Sequence, residues 1–594
     1  MKNFWSTFLA CLLAIVVGSI VFTMMSFMML GAMIAAFSSE EVAYVDYNSV
    51  LKLELTENIV DNPSQNVLGS LDPLSMRVNR STSLISVLNA IEHAAEDEKI
   101  EGIYLNMSSL SMGMATMEEI RTALVKFKES GKFIISYSNY YTQGTYYLAT
   151  VADKVYVNPE GAIDWRGMAS NLMFFKGTLD KLGVKAEIYR VGEFKSAVEP
   201  FMLDRMSPEN RKQYEVLLNS IWGNLVQEIA EARDLEPATL QEYASNLTVS
   251  NTQKALELGM VDGLKYTDEI LAELGEKVYY DAEQKVEFVS LAEYISSPKN
   301  RSNRRLSRNK IAVVYAEGDI VDGGRSEGAI GGDDLAARLA RVRQDDDVKA
   351  VVLRVNSPGG SALASEVIWR EMTLIQKEKP IIVSMGDYAA SGGYYISCPA
   401  DMIIANKHTL TGSIGVFGLM FNMEDAFRSK LGITTDVAKT NPSGDLGNMF
   451  RATTPAERAY IQNSVEDVYR TFVGHVADGR NLTREQVLEI AGGRVWSGIN
   501  ANEIGLIDGY GGLKDAVALA ADRAGISDDY RVTTPTDELD QLSQLLNSFF
   551  MAKLPSKVNV DAAEMDMIRE YRNLMRILEQ QGVQARMPYT LQIQ

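Results

Sequence analysis

The sequence predicts an α/β protein: one domain repeated in tandem behind an N-terminal transmembrane helix. Three observations carry this. Short segments recur in the same order about 247 residues apart. Within each copy, Val/Ile-rich runs alternate with amphipathic stretches, the pattern of βαβ units around a mainly parallel sheet. Residues 4–37 contain no charged side chain, and roughly 20 apolar residues are enough to span a bilayer.

Taken in order, the N-terminal run comes first. Lys2 precedes it and Glu40-Glu41 follow it, which predicts a cytoplasmic N-terminus with the body across the membrane. It is too long for the apolar part of a secretory signal, although cleavage near Ala35-Ala36 stays open as an alternative. At 594 residues the chain exceeds one core, so at least two domains follow. The formal net charge of −20 argues against a nucleic-acid binder, which would need a basic face. Two cysteines, Cys11 and Cys398, and three histidines in all leave no disulfide framework and no zinc-ligand spacing.

The repeat is read from seven matches in order. Ile100-Glu101-Gly102-Ile103-Tyr104-Leu105 answers Val348-Lys349-Ala350-Val351-Val352-Leu353, and Lys132-Phe133-Ile134-Ile135 answers Lys379-Pro380-Ile381-Ile382. Tyr146-Tyr147 answers Tyr394-Tyr395, and Ala152-Asp153 answers Ala400-Asp401. Ser207-Pro208 answers Thr454-Pro455, Arg233-Asp234-Leu235 answers Arg480-Asn481-Leu482, and Gly259-Met260-Val261-Asp262-Gly263 answers Gly505-Leu506-Ile507-Asp508-Gly509. This divides the chain into an anchor (1–44), a first copy (45–297), a polar and basic linker (298–309), a second copy (310–529) and a helical tail (530–594). Ser207-Pro208 and Thr454-Pro455 predict helix starts, a capping residue followed by proline at the first position, and Glu457 completes a capping box with Thr454. In the tail, residues 562–586 have the pattern of a charged amphipathic helix.

The differences between the copies point to chemistry. Gly386-Asp387-Tyr388-Ala389-Ala390-Ser391-Gly392-Gly393-Tyr394-Tyr395 follows an apolar strand and leads into a weakly polar segment, so Ser391 sits at a strand-to-helix turn among small residues. The first copy has Gln143 there. Conversely, the first copy holds Lys195 in Phe194-Lys195-Ser196-Ala197-Val198, where the second has Gly444 nearby. A serine hydroxyl needs a base. His93 reads as exposed, His475 as structural, and His408 lies 17 positions beyond the serine. Lysine can serve only if burial keeps it neutral, and Val191, Phe194 and Val198 around Lys195 offer such a pocket; an exposed lysine balancing Glu193 and Glu199 is the alternative. A third element, Asn356-Ser357-Pro358-Gly359-Gly360, ends another apolar strand. The amide of Gly359 or Gly360, with that of Gly392, could hold an oxyanion; a plain turn is the alternative.

These motifs, with Thr411-Gly412-Ser413-Ile414-Gly415-Val416, resemble the signal peptide peptidase A (SppA) family in its long membrane-bound form with two tandem repeats. The likeness covers residues 45–530 and leaves the tail outside. It implies a ClpP/crotonase-like fold and a serine endopeptidase with a Ser-Lys dyad: Ser391 as nucleophile, Lys195 as general base and Ser413 orienting the lysine. It also implies no metal or other cofactor, apolar peptide substrates such as spent signal peptides, and a homo-oligomer, a tetramer. The setting would be the bacterial inner membrane, with the catalytic body on the periplasmic side. Two rival readings remain at this point: a crotonase-like acyl-thioester enzyme and a catalytically silent membrane scaffold.

Overall fold

A computed structural model describes residues 44–62, 71–72, 77–78, 81–281, 283–297, 307–324, 328–535 and 583–587. The expected anchor, the linker from 298 to 306 and the tail from 536 to 582 lie outside the described residues. Among the described residues no helix is long and apolar enough to cross a membrane. The chain divides into two compact units. One comprises Met1–Tyr44, Ser64–Asn79 and Thr536–Val558, and its described part is Tyr44 with a short antiparallel pair, Leu71–Asp72 and Arg77–Val78. The other comprises Val45–Pro63, Arg80–Pro535 and Asn559–Gln594, and holds both copies of the repeat.

Within this larger unit each copy builds a mainly parallel sheet, and six strands follow the same order in both; the second adds Leu410–Gly412 beside Ile381–Ala390, with Val495–Ser497 antiparallel to it. In the first the order is Gly263–Leu264, Lys154–Ile163, Phe133–Tyr141, Ile100–Leu105, Ser49–Leu53, Glu287–Ser290. In the second it is Gly509–Tyr510, Met402–Ala405, Ile381–Ala390, Val348–Ser357, Lys310–Glu317, Arg531–Thr533. The central strands are continuous apolar runs because both faces are covered: Val351, Val352 and Leu353 pair in parallel with Ile381, Ile382 and Val383, and all six are buried. Two of the sequence matches are helix ends. Ser207 and Thr454 accept from the backbone N–H three residues on, opening the helices Pro208–Arg233 and Pro455–Arg480. Asp234 and Asn481 close those helices in the left-handed conformation, each at φ 52°.

The copies are not separate bodies. A third sheet runs Ala329–Gly331, Asp319–Val321, Gly359–Ser361, Val583–Arg586, Val416–Asn422, Lys185–Val191. Its last two strands come from different copies and pair antiparallel from Val416↔Val191 to Asn422↔Lys185. The long helices cross over as well: Pro455–Arg480 packs on the first copy's Lys185–Val191, and Pro208–Arg233 packs on the second copy's Val495–Ser497. The expectation for the tail needs correction where it is described. Arg531–Thr533 adds a parallel strand to the second sheet, and Val583–Arg586 is a strand, not the end of a helix. Gly582 and Pro588 bracket that strand, and neither residue favours continuing a helix.

Candidate active site

The strand Ile381–Ala390 ends at Ser391, which caps the short helix Gly392–Ser397. Ser391 has φ 57°, a conformation costing a non-glycine residue about 1–3 kcal/mol. Backbone bonds hold it there: its N–H donates to Gly412 O at 2.8 Å, and its carbonyl accepts from Tyr395 N at 2.8 Å. The neighbours must be small. A methyl group on Gly393 would lie 2.6 Å from the Ser357 carbonyl oxygen.

Lys195 reaches this serine because of the ladder between the copies. Val191 pairs with Val416; Lys195 comes four residues after the one and Ser413 three residues before the other, at the same end of the ladder. The next turn is pinned to the second copy, with Phe194 N–H donating to Gly492 O at 2.9 Å. Lys195 Nζ lies 2.7 Å from Ser391 Oγ, and 3.1 Å from both the carbonyl and hydroxyl oxygens of Ser413. The Ser413 hydroxyl donates to Gly493 O at 3.3 Å. Lys195, Ser391 and Ser413 are all fully buried. Burial holds the Lys195 ammonium pKa well below the usual lysine range, because the charged form would lose its hydration. A neutral amine against a hydroxyl can accept that hydroxyl's proton.

The two glycines of the Pro-Gly-Gly loop separate in position. A methyl on Gly359 would lie 2.7 Å from Gly392 N, whereas one on Gly360 would lie 2.7 Å from the backbone nitrogen of Ile320. Gly359, at φ 101°, is thus the one beside the elbow. None of the histidines takes part. His408 Nδ1 lies 2.8 Å from Glu118, and His475 Nε2 lies 2.9 Å from Glu366.

Behind the elbow, charges join the copies. Arg354 is buried and donates to Asp61 at 2.8 Å, Glu119 at 2.7 Å and Ser384 Oγ at 2.8 Å. Asp387, four residues before Ser391, accepts from Thr116 N at 3.0 Å and Thr116 Oγ1 at 2.7 Å. A carboxylate of the second copy thereby caps the first copy's helix Met114–Lys128, whose own N-cap, Gly113, has no side chain to do so. Burial raises the Asp387 pKa, with the Thr116 bonds opposing it.

A family model described as peptidase family S49 matches residues 126–280 and again 373–527. The chain belongs to peptidase family S49. It is a serine peptidase, and the two matched stretches fall one in each copy of the repeat. "Protease 4" of Salmonella typhi is 37% identical over 540 residues, covering 88% of this chain and 85% of that protein. "Serine protease SPPA, chloroplastic" of Arabidopsis thaliana is 32% identical over 521 residues, covering 87% and 76%. Among solved structures, a ClpP1 variant from Listeria monocytogenes covers 35% of this chain and 94% of its own at 13% identity; its TM-score of 0.24 is too low to bear on the fold.

The S49 chain also uses residues that sequence reasoning passed over. Gly493 forms the bed of the lysine, and Gly492 beside it holds Phe194: a methyl on Gly493 would lie 2.6 Å from Lys195 Cβ and 2.7 Å from Lys195 N. The signal was present, since the first copy has Ser245-Asn246 where the second has this pair, the same asymmetry that singles out Gly359-Gly360. Arg494 then lies over the rings of Phe194 and Trp496, at 5.3 and 4.0 Å from their centroids.

Proposed function

We propose that this S49 peptidase is a membrane-anchored endopeptidase working through a Ser-Lys dyad. Lys195 takes the proton of Ser391, whose oxygen attacks the scissile carbonyl. The Gly392 amide, with the Gly359 loop beside it, holds the developing oxyanion, and Gly360 keeps that loop against its neighbour strand. Lys195 returns the proton to the leaving amine, and water then hydrolyses the acyl-enzyme. Ser413 fixes the lysine with two contacts. The observation that carries this reading is the 2.7 Å approach of a fully buried amine to the elbow hydroxyl, across the two copies.

The substrates in this reading are apolar, unfolded peptides, signal peptides left in the membrane among them. Support comes from the motif resemblance and from the uncharged run at residues 4–37, which would hold the site near such peptides. The same reading takes the N-terminus as cytoplasmic, the body as periplasmic on a bacterial inner membrane, the assembly as a homotetramer and each copy as ClpP/crotonase-like. The test is labelling with a serine-directed fluorophosphonate and hydrolysis of an apolar fluorogenic peptide by wild type, Ser391→Ala and Lys195→Ala. The reading requires labelling that Ser391→Ala abolishes and hydrolysis that both variants lose. Full hydrolysis by Lys195→Ala would remove the lysine from the mechanism.

A further inference from the structure

Beside the elbow the two central strands of the second sheet fall out of step. Val355 pairs with Met385 and Ser357 with Ala389, so Asn356 alone faces Gly386, Asp387 and Tyr388. Extra residues in one strand leave backbone groups without ladder partners, and such groups need others. The bulge is pinned at each residue. The Gly386 carbonyl accepts from Thr409 Oγ1 at 2.8 Å, and the Asp387 carboxylate accepts from Thr116. Tyr388 N–H donates to Asn356 Oδ1 at 3.1 Å. Of these three, the last joins the bulge to the strand that carries the Pro-Gly-Gly loop. Tyr388 stands three residues before Ser391, and Asn356 three before Gly359.

What fixes Asn356 comes from the first copy. Asn356 Nδ2 donates to Asp61 Oδ2 at 3.1 Å, and Asp61 Oδ1 accepts from Arg354 Nε at 2.8 Å. Asp61 is buried and follows the first copy's strand Asn58–Val60. An amide can be turned over, exchanging donor and acceptor. Here the carboxylate accepts and the backbone N–H donates, so the two partners allow one orientation. The Asn356 backbone is fixed too, its carbonyl accepting from Gly318 N–H at 3.0 Å. The fit is close: a methyl on Gly386 would lie 3.0 Å from Asp61 Oδ2 and 3.2 Å from Asn356 Cγ. The first copy, which lacks the nucleophile, has Ser108-Ser109 at the place of Asn356.

We propose that Asn356 and Asp61 are positioning residues for the peptidase reaction: Asp61 of the first copy holds the Asn356 amide, and that amide holds the Pro-Gly-Gly loop in register with the elbow. This rests on the reading of Ser391 and of the Gly359 loop given above. Neither side chain touches the substrate. Their effect falls on the oxyanion, whose charge develops only in the transition state, so kcat carries it and KM does not.

The experiment measures kcat and KM for an apolar fluorogenic peptide, with kcat expressed per site that a serine-directed fluorophosphonate labels. Unfolded chains then drop out of the comparison. A merely structural bond would lower the thermal midpoint and leave kcat per labelled site alone. Asn356→Asp sets a second carboxylate against Asp61. Asp61→Asn leaves one oxygen for two donors, Arg354 Nε and the Asn356 amide. The double variant exchanges amide and carboxylate, so every donor again finds an acceptor and the local charge is that of wild type. Each single variant should lose about tenfold or more in kcat, with KM within about threefold of wild type. The double variant should regain kcat to within about threefold of wild type. Asn356→Ser, which adds no charge, should lose kcat as the other single variants do, and it decides the matter if either of them gives no labelled sites. Wild-type kcat in the single variants, a double variant no faster than they are, or a loss confined to KM overturns the inference and leaves the active-site reading standing. Wild type that neither hydrolyses the peptide nor takes the label sinks that reading and the inference with it.

Discussion

Gly493→Ala is the sharpest probe of how the lysine is held. The new methyl would lie 2.6 Å from Lys195 Cβ, about 0.8 Å inside the 3.4 Å of an ordinary contact. The other atoms it meets, Lys195 N at 2.7 Å and Lys195 Cα at 2.8 Å, are backbone, so no flexible side-chain end can yield. The lysine must then shift by a large fraction of an ångström from Ser391, and a misplacement of about 1 Å costs on the order of 100-fold in rate. Gly492→Ala is the control. Both glycines have positive φ, 67° and 83°, so alanine pays a similar backbone strain of about 1 kcal/mol at each. A methyl on Gly492, however, has nothing closer than Phe194 Cδ2 at 3.8 Å. Steady-state hydrolysis of a fluorogenic peptide should therefore show kcat reduced about 100-fold for Gly493→Ala and little changed for Gly492→Ala, with the thermal midpoint lowered further for Gly493→Ala, which adds the clash to the shared backbone strain. Equal kcat for the two variants would refute the claim that this bed positions the amine.

Lys195→Met should cost about 100- to 10,000-fold in kcat, the usual range for loss of a general base, with circular dichroism unchanged. Because burial lowers the Lys195 pKa and only the neutral amine accepts a proton, wild-type kcat/KM should fall as pH drops through that lowered value; a flat acid limb would contradict it. Glu317 is held at about 7 from an ordinary 4.5, chiefly by burial and then by Asp61, so its ionisation costs stability as pH rises from 4.5 through about 7. Glu317→Gln should be no more stable than wild type at pH 4.5 and more stable above pH 7, by at most about 3 kcal/mol, read from denaturation midpoints at the two pH values. Arg354→Met strands Asp61 and Glu119 without their cation and should destabilise by about 3–5 kcal/mol, measured by thermal unfolding.

Much of the site was legible because duplication left a built-in comparison. Ser391 stands against Gln143 between matching segments, and the stretch that carries Lys195 has no like stretch in the second copy, where Gly444 lies near its place. The capped helices at Ser207 and Thr454 were legible because capping is local chemistry. What a strand pairs with is not local. Nothing in the residues of Lys185–Val191 or Val416–Asn422 says that the partner of each strand lies in the other copy. Asp387 reads as one polar residue in a small-residue motif, and its role as a cap emerges only once Thr116 is brought beside it. Residues 583–586 were absorbed into a helical pattern since the charges upstream continue the period, although Gly582 and Pro588 marked the break. Gly492-Gly493 reads as a turn until the side chain resting on it is known.

The antiparallel ladder from Val416↔Val191 to Asn422↔Lys185 has a consequence for covalent continuity. The amine and the hydroxyl are held by backbone bonds reaching from one half to the other, not by the peptide joining the halves. Severing that peptide would leave two fragments still buttoned together along seven residue pairs, with Nζ and Oγ facing each other as before. Pulling the fragments apart would leave each with half of a reaction.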